Sequence, residues 1–236
     1  MIVKNDLYDY KNRYIFQDDE GFKFSLDSIL LAEFASFKGN SKKVLDLCTG
    51  NCAIPLIMST YNQSKYYGFE IQKDIYELGI KSIELNKLNN IKIINDDVNN
   101  IGNYFNMDYF DVITCNPPFF KVNDLKVTNP NQKKAIARHE LLFKLEDAFK
   151  IAKNYLKDNG YLYIVHITNI LDELFNLANK YNINIKTLQL ITTKTNEKPS
   201  IVLVKCIKNS KMGVVVNKQL SIEGLNSYQN IFKENV

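Results

Sequence analysis

Long hydrophobic runs are missing from this chain of 236 residues. No apolar stretch approaches the ~18 residues that a membrane-spanning helix needs, which excludes a helical transmembrane protein. The first residues, 1–6, also lack the apolar core of a secretory signal peptide. We therefore expect a cytoplasmic protein with no membrane partner.

Cysteine and histidine are too few and too scattered for a zinc pattern. Cys48 and Cys52 lie four residues apart, whereas Cys115 and Cys206 are isolated, and neither of the 2 histidines lies near the first pair. A structural zinc site needs about four such ligands at short spacing. The sequence therefore indicates buried, reduced thiols and no metal.

Arginine is the scarcer of the two basic residue types. The net charge of +4 is mild and does not by itself indicate a nucleic-acid partner. Of the 30 basic residues, only Arg13 and Arg138 are arginines, in a chain rich in lysine, asparagine and isoleucine. In that background an arginine is expected where a planar, forked donor is needed.

Short apolar runs alternate with longer amphipathic segments along most of the chain. Such alternation, with near-continuous apolar strands, is typical of a parallel sheet that helices cover on both faces. The last two predicted strands leave no room for a crossover helix, which indicates an antiparallel strand at one edge. The predicted class is α/β, with a doubly wound, mostly parallel sheet of seven strands. The predicted strands are 43–48, 65–70, 91–95, 110–115, 161–167, 183–191 and 201–207, and the predicted helices are 27–37, 53–61, 73–88, 145–156, 170–181 and a short one near 228–233.

The most informative motif is Asn116-Pro117-Pro118-Phe119, which directly follows the apolar run 110–115. Proline fixes φ and removes a backbone donor, so the strand must end here in a rigid loop. The loop presents the Asn116 side-chain oxygen and a neighbouring carbonyl as acceptors, beside the ring of Phe119. Such a site suits a planar amine, because two acceptors hold its N–H groups while its ring stacks on Phe119. For Asn-Pro alone, a plain strand-terminating turn is the alternative.

Three earlier predicted strands are followed by glycine or acidic residues. The first contains Asp46 and leads to a turn at Gly50, an Asp-x-x-x-Gly pattern that differs from the Gly-x-Gly-x-x-Gly of nicotinamide enzymes. Glu70 ends the second strand, where an acidic residue typically binds ribose hydroxyls. Asp97 follows the third strand, where a carboxylate could accept from the exocyclic amine of adenine. Together they predict a ligand site, although singly each also fits a turn, a surface acid or a helix cap.

With these motifs in this order, the chain resembles the class I S-adenosylmethionine-dependent methyltransferases that methylate amino groups. The hallmark of that group is Asp/Asn-Pro-Pro-Tyr/Phe/Trp after the fourth strand. The closer resemblance is to the bacterial tRNA(Val) adenine-37 N6-methyltransferases, and it spans nearly the whole chain up to Val204. The segments Phe-Ser-Leu-Asp-Ser (24–28) and Ala-Arg-His-Glu (137–140) are its most specific parts. The matching segments are 13–17, 21–32, 45–52, 68–72, 116–121, 129–131 and 135–140.

This resemblance implies a Rossmann-like class I methyltransferase fold, S-adenosylmethionine as the cofactor and tRNA as the partner of a monomer. For each lysine in the implied site, a solvated position on a lysine-rich surface is the alternative. The implied residues are Asn116, Pro117 and Phe119 for catalysis; Asp46, Gly50, Glu70, Asp97 and Asn116 for the cofactor; and Phe120, Lys121, Lys133, Lys134 and Arg138 for the substrate.

The chain departs from the family where glycines of the cofactor loop are replaced by Cys48 and Cys52. A residue with a Cβ does not adopt a positive φ cheaply. Either these two residues have ordinary backbone dihedrals, or the affinity for the cofactor is reduced. Gly50, the central glycine of the loop, is kept.

Three other functions compete with this interpretation. A protein glutamine N5-methyltransferase would use the same acceptors, but such enzymes carry a longer helical N-terminal domain. A DNA adenine methyltransferase would usually need an added recognition domain of ~100 residues, for which this chain lacks the length. A non-enzymatic RNA-binding protein with a degenerate cofactor site would account for the two cysteines.

No repeat and no long linker divides the sequence, and its length suits one domain with extra elements. We expect a single methyltransferase domain over 1–236. Within it, a helical extension on the substrate side (1–40) precedes the catalytic core (41–207) and a C-terminal tail (208–236).

Overall fold

The structure is a computed structural model that describes residues 1–7, 10, 13–18, 24–39, 42–117, 143–195 and 197–232. No helix in these ranges is long and apolar enough to cross a membrane. Among the described residues, 3-10 turns lie at Val98–Asn103 and Thr168–Ile170. The helices are α1 (Leu26–Ala35), α2 (Ala53–Met58), α3 (Lys73–Leu85), α4 (Leu145–Tyr155) and α5 (Leu171–Tyr181). The strands are β1 (Ile2–Asp6), β2 (Tyr14–Asp18), β3 (Lys43–Leu47), β4 (Lys65–Phe69), β5 (Ile91–Ile94), β6 (Phe110–Cys115), β7 (Leu156–Ile167), β8 (Ile183–Thr192), β9 (Ile201–Lys208), β10 (Val215–Val216) and β11 (Leu220–Ser221).

The main sheet of the described chain has its longer strands in the order β5-β4-β3-β6-β7-β9-β8. Strands β3 to β7 run parallel to one another, whereas β9 runs antiparallel to both β7 and β8. This confirms the doubly wound, mostly parallel fold with an antiparallel pair at one edge. Strand β9 lies between β7 and β8, and β8 is the outermost of the longer strands on this side of the sheet. The short strands β10 and β11 pair with β8 and escape the sequence prediction, since two residues show no periodicity.

Alternation along each strand divides the core into two layers. In β3, Leu45 and Leu47 face the layer that contains Phe110 and Phe149, while Val44 faces the other layer. Helices α4 and α5 cover the first layer, and α1, α2 and α3 cover the second. Burying one such side chain contributes about 1.5–3 kcal/mol. Because helices cover both faces of this sheet, nearly every position of its central strands is buried, and these strands are apolar along most of their length.

The N-terminal segment begins with an antiparallel hairpin, β1–β2, which the sequence does not predict. Side chains of α3 bind the outer edge of β2. The Phe16 amide donates to Ser82 Oγ at 2.9 Å, and Asn86 Nδ2 donates to the Tyr14 carbonyl at 2.6 Å. A helix therefore covers an edge that would otherwise present unpaired backbone groups. The extension over 1–40 is part hairpin and part helix, and the expectation that it is helical is wrong for β1 and β2.

The C-terminal tail packs against α1 and does not form the helix expected near 228–233. Residues 229–232 make turns, and Asn230 has a left-handed φ of 64° that interrupts a helix. The Asn230 amide donates to Glu33 Oε2 at 2.7 Å, and the Phe232 ring meets the Phe34 ring edge-on at 5.5 Å. The tail is thus fixed by tertiary contacts with α1.

Candidate active site

The carboxyl ends of four parallel strands meet at one edge of the sheet. Asp46 of β3 lies opposite Gly68 of β4 and Thr114 of β6, and Phe69 of β4 lies opposite Ile94 of β5. The residues that follow these strands are therefore neighbours, at the edge where open α/β sheets bind ligands. The predicted site residues at this edge are Asp46, Gly50, Glu70, Asp97 and Asn116.

The loop after β3 holds three residues in the left-handed backbone region. The φ angle is 56° at Cys48, 59° at Gly50 and 75° at Cys52. Glycine adopts this region freely, but a residue with a Cβ is strained there by about 1–2 kcal/mol. Ordinary dihedrals at the two cysteines, one of the alternatives that the sequence leaves open, are therefore wrong. The loop keeps a conformation suited to glycine although two of its residues carry thiols.

Contacts with β4 fix this loop. The Thr49 amide donates to the Phe69 carbonyl at 2.8 Å, and the Gly50 amide donates to Glu70 Oε2 at 3.0 Å. Thr49 can lie this close to β4 because Gly68 has no side chain. A Cβ at Gly68 would lie 2.8 Å from the Thr49 side chain. The strained backbone is therefore held by its neighbours within the protein.

Asp46 lies beneath the loop and is only 1% exposed. Its Oδ2 accepts from Thr49 Oγ1 at 2.7 Å, and its Oδ1 accepts from Thr114 Oγ1 at 2.6 Å. Burial raises the pKa of Asp46 to about 7, although the two hydroxyl donors oppose this shift. Asp46 therefore ties the β3 loop to β6, the strand that Asn116 directly follows, and its contact with the cofactor stays a prediction.

Glu70 and Asp97 present carboxylates after β4 and β5. Glu70 is 5% exposed, and its oxygens accept from the Gly50 amide at 3.0 Å and the Gln72 amide at 2.8 Å. Asp97 Oδ1 accepts from the Asn99 amide at 2.8 Å and so caps the 3-10 turn that follows. Because a carboxylate oxygen has a further lone pair, both groups can also accept from a ligand hydroxyl or amine.

The electrostatic environment of this edge is acidic. Burial is the largest cause of the strongly raised pKa of Cys48, and the charges of Glu70, Asp46 and Asp97 add to it. Three carboxylates therefore act on one half-buried thiol, which stays protonated and is a poor nucleophile. Such an edge suits a cationic ligand that carries hydroxyl groups, and it disfavours a pyrophosphate.

Asn116 is held by a contact from α1 that the sequence analysis does not anticipate. Asn116 Nδ2 donates to Ser28 Oγ at 2.9 Å, and Ser28 is 8% exposed. The remaining polar atom of the Asn116 side chain is Oδ1, the acceptor that binding of an amine requires. The signal for Ser28 is present in the Phe-Ser-Leu-Asp-Ser segment, which the resemblance singles out without giving these residues a role.

Part of the predicted site falls outside the described residues. Pro117 is described and buried directly after Asn116. The predicted residues within 118–142, which the structure does not describe, are Phe119, Phe120, Lys121, Lys133, Lys134 and Arg138. Their roles stay predictions.

Comparison with known proteins identifies the class of this chain. Residues 38–232 match the family model described as a methyltransferase domain. The match runs from before β3 to beyond β11 and includes the whole edge described above. The chain belongs to this family of methyltransferases.

Three relatives illustrate two kinds of substrate. The tRNA1(Val) (adenine(37)-N6)-methyltransferase of Bacteroides thetaiotaomicron is 24% identical over 243 residues, which cover 94% of each chain. The enzyme of the same name from Pedobacter heparinus is 26% identical, over 85% of this chain and 83% of that one. A release factor glutamine methyltransferase of Aliivibrio fischeri is 27% identical over 161 residues, which cover 64% of this chain and 55% of the relative.

Solved structures support the same fold at low identity. A protein from Agrobacterium tumefaciens described as a predicted O-methyltransferase superposes with a TM-score of 0.65 at 16% identity, over 86% of this chain and 91% of the other. TYW2 of M. jannaschii, solved in complex with AdoMet, gives a TM-score of 0.56 at 18% identity, over 88% and 84% of the two chains. At these identities the likeness concerns the fold alone.

Proposed function

We propose that this protein transfers a methyl group from S-adenosylmethionine to N6 of an adenine in tRNA, with adenine 37 of a valine tRNA as the target. The observation that carries the proposal is the hydrogen bond from Asn116 to Ser28, which leaves Oδ1 of a rigid Asn-Pro loop as an amine acceptor. The choice of tRNA and position is supported by the names of relatives such as the Bacteroides enzyme, which aligns over 94% of the chain.

The acidic carboxyl edge fits S-adenosylmethionine. Glu70 and Asp97 offer acceptors for ribose hydroxyls and an adenine amine, and the carboxylates favour a sulfonium and an ammonium group. Gly50 allows close approach of backbone, while Asp46 holds the loop from below. When bound, the cofactor supplies an electrophilic methyl group. A nicotinamide dinucleotide would instead bring two phosphates against the same carboxylates.

Asn116 and Pro117 contribute by positioning the acceptor nitrogen. The lone pair of adenine N6 is delocalised into the ring, so the free amine is a weak nucleophile. Asn116 Oδ1 and the Pro117 carbonyl accept its two N–H groups, favour a pyramidal nitrogen and aim the lone pair. In-line alignment then provides most of the catalysis. No general base acts before the attack, because the proton becomes acidic only as the N–C bond forms.

The target base has to leave its stack to reach this loop, as for other enzymes that act on base atoms. An anticodon loop is single-stranded, so the cost is lower than in a duplex. Phe119 is proposed to stack on the base. The residues proposed to contact the surrounding RNA are Phe120, Lys121, Lys133, Lys134 and Arg138.

Protein glutamine N5-methylation is the second candidate. The Aliivibrio relative carries that name, and a glutamine amide presents two N–H groups to the same acceptors. Its alignment covers 64% of this chain, whereas the alignment to the Bacteroides tRNA enzyme covers 94%. The tRNA substrate is therefore favoured.

Methyl transfer from labelled S-adenosylmethionine tests the proposal directly. The purified protein is incubated with valine tRNA, with the same tRNA carrying guanine at position 37, or with a release factor. We expect labelled N6-methyladenosine in the first RNA only. Label on a glutamine of the release factor, and none on RNA, would establish the second candidate. A protein that binds RNA but no cofactor would be a non-enzymatic RNA-binding protein.

A further inference from the structure

Lysine side chains and aromatic rings gather at the amino edge of the sheet, opposite the candidate active site. Lys42 directly precedes β3, and its Nζ lies 4.9 Å from the Phe37 ring centroid and 5.0 Å from the Tyr161 ring centroid. Lys205 on β9 places its Nζ 4.9 Å from the same Tyr161 ring. Two ammonium groups therefore share one ring. We call these four residues, Phe37, Lys42, Tyr161 and Lys205, the lysine–tyrosine cluster.

The cluster concentrates positive charge that forms no close ion pair with a described carboxylate. Among the described residues, no carboxylate lies within 4.0 Å of the ammonium of Lys42 or Lys205. The nearby Asp111 accepts from Lys157 Nζ at 2.7 Å and from the Lys43 amide at 2.8 Å. Although burial opposes the shift, hydrogen bonds from Lys157 and Lys43 lower the pKa of Asp111, and the charge of Lys42 adds to this at longer range. Burial, and after it the charge of Lys42, lowers the pKa of the half-buried Lys205. Two like charges at one ring cost free energy, which a bound anion would recover.

A further lysine and ring extend the positive edge beyond the cluster. Lys43 Nζ lies 3.7 Å from the Tyr109 ring centroid, and the charge of Lys65 also acts on Tyr109. Contacts between an ammonium group and an aromatic face hold the lysine side chains in place. Less conformational entropy is therefore lost when these groups bind an anion.

We propose that the lysine–tyrosine cluster binds the sugar–phosphate backbone of the RNA stem that adjoins the modified loop. This inference rests on the proposed function. Helix α1 links the two places, because Ser28 in its first turn contacts Asn116 and Phe37 follows its last turn. Its ten residues span about 15 Å. A ligand that reaches from the loop to the cluster must be longer than a nucleotide, and the two ammonium groups favour one that brings phosphates to the cluster, as a nucleic-acid stem does.

A salt series with a charge-matched control tests this surface. The variant Lys42→Gln/Lys205→Gln removes both ammonium groups and keeps much of each side chain. The control, Lys81→Gln/Lys92→Gln, makes the same charge change at two exposed lysines on α3 and β5. Binding of a labelled anticodon stem-loop of valine tRNA is measured by fluorescence anisotropy. Losing two phosphate contacts should reduce the slope of log K against log salt by about 1.4–1.8, and weaken binding roughly 10- to 50-fold at about 0.1 M salt.

The control variant should retain the wild-type slope, and the cluster variant should retain kcat at saturating RNA, because the cluster lies at the edge opposite Asn116. Wild-type protein that methylates the stem-loop, together with an unchanged slope in the cluster variant, would overturn this inference alone. Wild-type protein that neither binds nor methylates the RNA would overturn the proposed function as well. If the cluster variant loses only calorimetric binding of inorganic phosphate and keeps its RNA slope, the site is one for a small anion and the inference fails.

Discussion

The two edges of one sheet carry opposite chemistry. At the carboxyl edge, Asp46, Glu70 and Asp97 surround a loop and are engaged by hydrogen bonds from the protein. At the amino edge, Lys42 and Lys205 share an aromatic ring, and no described carboxylate lies within 4.0 Å of either ammonium group. Parallel strands make this separation possible, because all their starts lie on one side and all their ends on the other. A cationic, hydroxyl-bearing cofactor and a polyanion can therefore be bound by the same strands without competing.

Helix α1 connects these edges, and its position is fixed from several segments. Its Ser28 contacts Asn116, while Glu33 accepts from the Tyr10 and Tyr61 hydroxyls, each at 2.5 Å, and from the Asn230 amide at 2.7 Å. A single buried carboxylate thus joins the N-terminal segment, the end of α2 and the tail to one helix. The Ser28 contact is consequently made from a rigid support.

The largest effect is expected from Asn116→Ala, which removes the proposed amine acceptor. It should impair methyl transfer at the carboxyl edge and leave the amino edge unaffected. We expect methyl transfer to fall by at least about 10²–10³-fold, as for other groups that act mainly in the transition state. Cofactor affinity, measured by calorimetry, should stay nearly unchanged. A comparable loss of cofactor binding would show that Asn116 binds the cofactor or supports the loop, and that it does not act on the acceptor amine alone.

Glu70→Ala tests whether the acidic carboxyl edge of the sheet binds the cofactor. Loss of the carboxylate should weaken S-adenosylmethionine binding by roughly 1.5–3 kcal/mol, the range for hydrogen bonds to a charged group. Since the substitution also leaves the Gly50 amide without its acceptor, Glu70→Gln provides a second variant that keeps an oxygen there. Asp74→Ala is the control, because Asp74 is exposed and close by. Wild-type protein that binds a nicotinamide dinucleotide and not the sulfonium compound would contradict the assignment.

Ser28→Ala tests the orientation of the Asn116 side chain, because it removes the hydroxyl that holds the amide and changes no charge at either edge. Loss of one neutral hydrogen bond, about 1 kcal/mol, should lower kcat about 3- to 10-fold, with little change in KM for RNA or in cofactor affinity. Ser28→Thr keeps the hydroxyl and should restore most of the rate. If threonine and alanine are equally impaired, the hydroxyl does not orient Asn116 and Ser28 serves packing alone.

The sequence predicts the parts of this protein that are encoded locally. The strand over 110–115 is confirmed with the same bounds, because Asn116 and two prolines end it. Strand β7 is longer than predicted, since Leu156–Ile167 begins with a polar stretch that shows no strand pattern. Acidic residues and glycines follow successive strands in the sequence, and the topology of an α/β sheet places them together at the carboxyl edge. The position of the candidate site is therefore predictable from the sequence.

Non-local contacts account for what the sequence does not predict. Ser28 and Asn116 are 88 residues apart, and no periodicity relates them. The β1–β2 hairpin depends on side chains of α3 for its outer edge. The positive φ angles of Cys48 and Cys52 run against local preference and arise from the hydrogen bonds to β4. Tertiary contacts override residue propensity at these places.

The smallest expected effect concerns the strain in the cofactor loop, and the pair Cys48→Gly and Cys48→Ala isolates it. Both variants lack the thiol, but only glycine relieves the left-handed φ of 56°. Relief of about 1–2 kcal/mol, less about 0.5–1 kcal/mol for the greater freedom of glycine in the unfolded chain, should leave the glycine variant about 0–1.5 kcal/mol more stable than the alanine variant. Urea unfolding measures this difference, and calorimetry should show cofactor affinity in the glycine variant at least equal to wild type. A glycine variant about 0.5–1 kcal/mol less stable than the alanine variant, which is the entropy cost of glycine alone, would mean that residue 48 is not strained, and the carboxyl edge would then differ from the amino edge in charge alone.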